Sequence, residues 1–338
     1  MKIGSISFSA QPVLALAPMA GYTDVAFREL MARRGADLVF SELASATAIA
    51  RNSPSKTDLE DVSCATPVSS SMLKTSRIIQ VGPSGVTGIQ LFGASPEDLG
   101  STVKLLGEQI SSGQCQAKLI DLNFGCPAPK VTKTGAGSAL LDDPSRMADF
   151  ARAAVKFSPV PVTAKIRLGY KDKNNVAIAR ALAGEGISAL TVHGRTAAQK
   201  FSGAADWFAI GEVVRAVSIP VFGNGDVSAP EDVGRIIAAS GCPAVSVGRG
   251  ALSNPLFFAQ ARALAEGKTY APTAWADRAA FLGEYIALLP TYGLPEHSAK
   301  DLALQMCEGF EGAARVRGQI TLCKTVEDLQ ALLLRVNA

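Results

Sequence analysis

The stretch LIDLNFGCPAPKVTKTGAGSALLDDPSRMADFARAAV (119–155) decides the fold, because it holds one strand, one loop and one helix in that order. Residues 119–123 read as a buried strand, and Gly125 and Pro127 break it. Gly135, Gly137 and Ser138 permit close backbone approach before a helix begins near Asp142. Cys126 then lies just past the C-terminal end of a strand, where barrel and open α/β enzymes place reactive groups.

The same unit recurs along the chain. Eight short, β-branched-rich runs can be read: VLALAPM (13–19), LVFSEL (38–43), GIQLFG (88–93), LIDLNFG (119–125), VTAKIRL (162–168), ALTVHG (189–194), PVFGNG (220–225) and AVSVGR (244–249). Amphipathic segments such as PEDLGSTVKLLGEQI (96–110), DPSRMADFARAAV (143–155) and APEDVGRIIAAS (229–240) lie between them, with Pro or acidic residues in the first turn. Apolar strands alternating with helices indicate a parallel sheet covered on both faces, and eight is the barrel number. The expectation is α/β: a TIM (β/α)8 barrel over residues 1–265, with KIGSISF (2–8) as a hairpin capping its bottom. Residues 266–338 form a small C-terminal all-helical domain, in which RAAFLGEYIALL (278–289), DLALQMCEGFEG (301–312) and VEDLQALLLRV (326–336) carry helical spacing. The Ser-rich stretch 52–86 has no strong period and reads equally as an ordered excursion or a mobile loop.

Composition narrows the classes further. At 48% hydrophobic, 338 residues can bury a large core. The six cysteines have no C-x-x-C pair and there are only two histidines, so neither a zinc nor an iron–sulfur site is expected, and reduced thiols fit a cytoplasmic protein. VLALAPMA (13–20) follows a stretch with one Lys and runs into a polar turn, which argues against a signal peptide. No run is long enough to span a membrane. Nothing sets the oligomeric state, and a monomer is expected.

The net charge of +3 is too small to advertise a polyanionic partner, but its distribution is uneven. Segments 125–135, 165–173 and 193–200 hold Lys130, Lys133, Lys165, Arg167, Lys171, Lys173, Arg195 and Lys200 against one acid, Asp172. All three follow strands, so a shared face would make a positive mouth, although loop lysines can equally be solvated. VFGNGDV (221–227) and AVSVGRGAL (244–252) end the last two strands, where barrels commonly bind phosphate; Gly225 and Gly248 admit an anion and Arg249 adds charge. Lys165 inside an apolar strand needs a counter-charge, an electron-rich ligand or the barrel mouth. His193 and Arg195 end the sixth strand; a lone His is often only a satisfied polar residue, but with Arg two positions on and only two His in the chain a ligand role is expected. Gln90 offers an amide able to donate and accept. Pro18, Met19 and Ala20 form an apolar turn on which a flat ring could rest, though packing explains them as well.

These residues carry a resemblance. APMAGYTDVAFREL (17–30), QLFG (90–93), DLNFGCP (121–127) with KTGAGSALL, KIRLG (165–169), TVHGRTAAQKFSGAADW (191–207), GNGD (223–226) and VGRGAL (247–252) together resemble the dihydrouridine synthase family, in its bacterial DusB-like branch. That family comprises flavin-dependent enzymes that reduce uridine in RNA. The resemblance implies an FMN barrel with a helical domain, NADPH as reductant and tRNA as substrate. It implies that Pro18, Met19, Ala20, Gln90, Lys165, His193, Asn224, Gly225, Asp226, Gly248 and Arg249 hold FMN and that Cys126 is the catalytic acid. Asn123 and Arg195 would face the flavin and the base, with Lys130 and Lys133 on the RNA. Two departures are visible: the stretch after the second strand is long, and SAKDLALQ (298–305) replaces an Arg-Lys-His cluster.

The chemistry is coherent. Saturating C5–C6 of uracil needs a hydride at C6 and a proton at C5, and a thiol, with an ordinary pKa of about 8.5, is protonated at neutral pH yet acidic enough to give that proton up. Other readings are a flavin barrel acting on a small molecule, a non-redox phosphate-binding barrel in which Lys165 forms a Schiff base, and an RNA-binding barrel that has lost catalysis.

Overall fold

The computed structural model describes residues 1–52, 76–307 and 312–336. Most of the Ser-rich stretch 52–86, with Cys64, therefore lies outside the described residues, as does Phe310. Eight strands form the barrel: β1 (Val13–Leu16), β2 (Leu38–Phe40), β3 (Val86–Phe92), β4 (Leu119–Asn123), β5 (Val162–Arg167), β6 (Ala189–His193), β7 (Val221–Asn224) and β8 (Ala244–Val247). Every neighbouring pair is parallel, and β8 pairs with β1 from Ala244↔Val13 to Val247↔Leu16, so the sheet closes and leaves no edge.

Helices cover the outside: α1 (Val25–Arg33), α2 (Pro96–Ser111), α3 (Pro144–Phe157), α4 (Asn175–Gly184), α5 (Trp207–Ala216), α6 (Glu231–Ser240) and α7 (Phe257–Ala265), with a shorter Ala46–Asn52 helix after β2. Their starts obey local chemistry. Ser95 caps α2 by accepting from the Asp98 N–H at 3.1 Å, and Asp143 caps α3 by accepting from the Arg146 N–H at 2.9 Å, each followed by a proline whose missing N–H costs nothing there.

Strand periodicity divides the core into two parts. Outward residues such as Leu14, Leu16, Ile120, Leu122, Ala164, Ile166, Leu190 and Val192 pack against the helices. A second cluster, Ile3, Val13, Ala15, Leu38, Phe40, Leu119, Ala189, Phe222 and Ala244, fills the barrel bottom; Ile3 comes from the antiparallel hairpin Lys2–Ile3 and Ile6–Ser7. Above that plug the inward positions turn polar. Leu119 is followed at every second residue by Asp121 and Asn123, Ala189 by Thr191 and His193, and Ala244 by Ser246 and Gly248. In β5 the inward series is Thr163, Lys165 and Arg167, in register with Asp121, Asn123, Thr191 and His193 on its two neighbours.

Four helices follow: α8 (Trp275–Leu288), α9 (His297–Met306), α10 (Ala313–Leu322) and α11 (Val326–Val336). Helix α8 packs on α1, where Phe27 and Phe281 meet edge-to-face at 5.7 Å between centroids. Polar ties run alongside. The Tyr285 hydroxyl donates to Asp24, the N-cap of α1; the Tyr292 hydroxyl donates to Glu29 at 2.8 Å; and Arg34 pairs with Glu284 at 2.6 Å.

Burial pushes the Asp24 carboxyl above its ordinary range, opposed by the Phe27 N–H, by Tyr285 and by Arg28. Tyr285→Phe is expected to lower unfolding free energy by about 1–3 kcal/mol at pH 7, because a buried carboxylate loses a donor. The phenol bond favours the charged carboxyl, and that carboxyl takes up its proton above the ordinary value, so the loss should shrink as pH falls from 7 toward about 4. Denaturant midpoints at the two pH values measure it.

Candidate active site

The polar ends of the strands enclose a cavity of about 380 Å³. Pro18, Met19 and Ala20 line it from the loop after β1, and Asn123 and Cys126 from β4 and its loop. Lys165 comes from β5, His193 from β6, Asn224, Gly225 and Asp226 from β7, and Gly248 and Arg249 from β8. One space therefore gathers twelve of the expected residues. Gln90 and Arg195 are buried outside the lining, and Lys130 and Lys133 are exposed on and just after the short Pro129–Thr132 turn beyond Cys126.

The Cys126 loop is held at both backbone groups. Its N–H donates to the Asn123 side-chain oxygen at 2.9 Å, and its carbonyl accepts from the Ser138 N–H at 3.1 Å. Gly137, at φ 61°, lies so close that an added Cβ would come within 2.8 Å of the Cys126 carbonyl oxygen. Only glycine combines that approach with that backbone. Cys126 is half-buried, whereas Cys115, Cys242 and Cys307 are buried in the core and the half-buried Cys323 lies at the end of α10.

Lys165 donates to the Asn224 side-chain oxygen at 3.2 Å. Burial, then the Arg167 charge, push its ammonium down to about 8, while Asp121 and Cys126 act in the opposite sense. His193 is driven far below the ordinary histidine range by burial and by Lys165, Arg167, Arg195 and Arg249. Its ring is therefore neutral at physiological pH, with a buried Nδ1 that has no hydrogen-bond partner among the described residues. Ser246, which also lines the cavity, has an unpartnered buried hydroxyl in the same sense. Gly225 adopts φ 110°, and a Cβ there would meet Ala205 at 3.0 Å and the His193 ring at 3.3 Å.

Several cations have inward work. Arg195 Nη2 donates to both carboxylate oxygens of Asp226, at 2.7 and 2.8 Å, and Nε donates to the Gly203 carbonyl at 3.1 Å, so the guanidinium braces the β6 loop against the β7 loop. Asp226 sits at φ 54° and also accepts from the Ala205 N–H at 2.7 Å. Arg167 donates to the carbonyls of Gly125, Thr196 and Lys200. Lys173 pairs with Asp206 at 2.6 Å. The exposed remainder of the basic set is Lys130, Lys133, Lys171 and Lys200.

Three further residues at or beneath the cavity were not expected from the sequence. Phe201, 59% exposed, lines the mouth with the Arg249 guanidinium 5.0 Å and the Arg167 guanidinium 5.8 Å from its ring centre. Gln305 reaches the lining from α9. Asp121, fully buried beneath the cavity, is pushed up to about 6 by burial, against the pull of Gln90, Thr163 and Lys165. Two-residue alternation backwards from Asn123 would have pointed to Asp121; nothing in the local sequence marks Gln305.

The family model described as dihydrouridine synthase matches residues 15–337. The chain belongs to the dihydrouridine synthase family. It is 33% identical over 290 residues to a probable tRNA-dihydrouridine synthase of Treponema pallidum, covering 82% of this chain and 78% of that protein. It is 31% identical to a probable tRNA-dihydrouridine synthase of Aquifex aeolicus, covering 95% and 94%, and 35% identical to tRNA-dihydrouridine synthase B of Shewanella oneidensis, covering 86% and 83%. Dihydrouridine is uridine with one double bond saturated, so the chain is an oxidoreductase. Membership of this family sets aside the Schiff-base alternative for Lys165.

Within this dihydrouridine synthase barrel, Asp226→Asn should keep the left-handed backbone, which Asn tolerates, while leaving Arg195 buried without its charge partner. A loss of about 2 kcal/mol is expected, less than for a fully enclosed pair because the Asp226 side chain is 33% exposed. Chemical denaturation of the variant checks this.

Proposed function

We propose that this enzyme reduces uridine to 5,6-dihydrouridine in tRNA, with FMN as cofactor and NADPH as reductant. The observation that carries the reading is that Cys126 and Asn123 share one cavity with Lys165, His193 and Arg249. Such a space suits a flavin: it falls within the roughly 300–1,000 Å³ of small-molecule sites. Its unpartnered His193 and Ser246 atoms await polar partners, and Arg249 with the Gly225 and Gly248 backbone would take a phosphate. Pro18, Met19, Ala20, Lys165, Asn224 and Asp226 would complete the binding set, with Gln90 behind Asn123.

Reduced FMN would supply the hydride that reaches C6. The chain's own part is to place the base and deliver the proton. Cys126 would give its thiol proton to C5 from the opposite face, and the thiolate would recover a proton from water. Asn123 would orient the base edge. Lys165, charged below pH 8, would stabilise negative charge on the ring system. We place the catalytic barrel at 1–265 and an RNA-recognising helical domain at 266–338, with Lys130 and Lys133 contacting phosphates and tRNA binding dependent on salt. A cytoplasmic monomer fits this work; among the described residues no helix is long and apolar enough to cross a membrane.

The test is direct: the purified protein should carry FMN and form dihydrouridine in added tRNA with NADPH. Cys126→Ala should retain FMN and its reduction by NADPH while losing at least about 100-fold in dihydrouridine formation, as expected for loss of a general acid. Full turnover by that variant rules out the thiol as the proton source. A second prediction follows from Lys165. Its lowered pKa means the ammonium is lost as pH rises through about 8, so FMN affinity should weaken over that window in the wild type. In Lys165→Arg, affinity should stay level past that pH, because a guanidinium keeps its charge. Fluorescence titration of FMN across pH measures both.

A further inference from the structure

Among side chains the proposed chemistry leaves unused, Asp121 stands out. It is 1% exposed, does not line the cavity, and faces inward from β4 below Asn123. Its Oδ1 accepts from the Thr163 hydroxyl at 2.6 Å, and its Oδ2 accepts from Gln90 Nε2 at 2.7 Å. Gln90 Oε1 accepts from Asn123 Nδ2 at 2.8 Å. Asn123 Oδ1 then accepts from the backbone N–H of Gly125 at 3.1 Å and of Cys126 at 2.9 Å. An unbroken relay thus runs from a buried carboxylate to the peptide that carries the thiol.

Both ends of this relay are fixed in sense. A backbone N–H can only donate, and a carboxylate can only accept. Neither amide can turn over without setting like atoms face to face, so the two constraints select one orientation of Gln90 and one of Asn123. The relay also has no slack. Gln90 is fully buried and its own N–H donates to Ser41 Oγ at 2.9 Å, so an unpaired amide could not turn to water.

We propose that Asp121 is the positioning residue for the Cys126 loop, acting through Gln90 and Asn123. This rests on the reading of Cys126 as proton donor. Asp121 touches no reacting atom in that scheme. It decides which atom of Asn123 faces the loop, and so where the thiol stands relative to the base. A merely structural role for the same carboxylate would alter stability without altering the thiol.

The experiment uses the holoenzyme and reads two quantities: the rate at which iodoacetamide alkylates Cys126, followed by peptide mass spectrometry across pH, and kcat against KM with tRNA. Asp121→Ala should raise the alkylation rate by about threefold or more and lower kcat by about tenfold, with KM within about twofold, as expected for a misplaced but present catalytic group. Asp121→Asn offers an oxygen to Gln90 and an amine to Thr163, so it should restore both readings to within about twofold of wild type. Wild-type alkylation and kcat in Asp121→Ala would overturn the proposal. So would an Asn variant as impaired as the Ala variant, since charge and not the relay would then be at work. Where Asp121→Ala yields no folded protein, Gln90→Met cuts the next link: faster alkylation upholds the relay and an unchanged thiol sinks it. The alkylation reading needs no RNA, so failure to form dihydrouridine would remove the proposed function while leaving this question decided by the thiol.

Discussion

A strand in a closed barrel can send only every second side chain inward, and in this molecule that constraint arranges everything else. The inward series runs from apolar to polar along several strands. Leu119, Asp121 and Asn123 illustrate it, as do Ala189, Thr191 and His193. The bottom of the barrel is thereby a plug of Ile3, Val13, Leu38, Phe40 and Phe222, and the top is a polar cup. Because closure leaves no sheet edge to satisfy, the strand ends are free to carry side chains whose burial would be costly anywhere else. Lys165, Arg167 and His193 occupy adjoining strands in register, and their mutual repulsion together with burial holds the lysine and the histidine in less charged forms than water would allow.

The loops above the cup are fastened by opposite charge and by backbone bonds, and this explains the fate of the basic residues. Arg195 is spent on Asp226, Arg167 on three carbonyls, and Lys173 on the cap of α5. What remains for an outside polyanion is a smaller set of exposed lysines, Lys130, Lys133, Lys171 and Lys200. The aromatic Phe201 stands exposed at the mouth beside two guanidiniums.

Much of this was legible beforehand because strands and βα loops are local. LIDLN with a Gly- and Pro-broken loop and a capped helix contains its own instructions, and the eight runs appear as eight strands within a few residues of the expected ends. The lining residues followed for the same reason, since each ends its own strand. Legibility failed where a partner comes from elsewhere in the chain. The segment around Arg195 gives no sign that Asp226, beyond a whole intervening helix, will claim its guanidinium. Treating the strands as apolar throughout hid Asp121, although its place two residues before Asn123 puts it on the inner face. Gln305 was invisible because its contribution depends on how α9 docks.

That docking has a consequence for how the molecule can change over evolutionary time. The C-terminal helices are tied to α1 through Phe281, Tyr285 and Tyr292, and they lend Gln305 to the wall of the cavity. They are consequently not an interchangeable module appended to a finished enzyme. If these helices meet the RNA, as proposed, a lineage that remodels them for a different RNA would also reshape the cavity that Gln305 lines, and target choice and turnover would drift together.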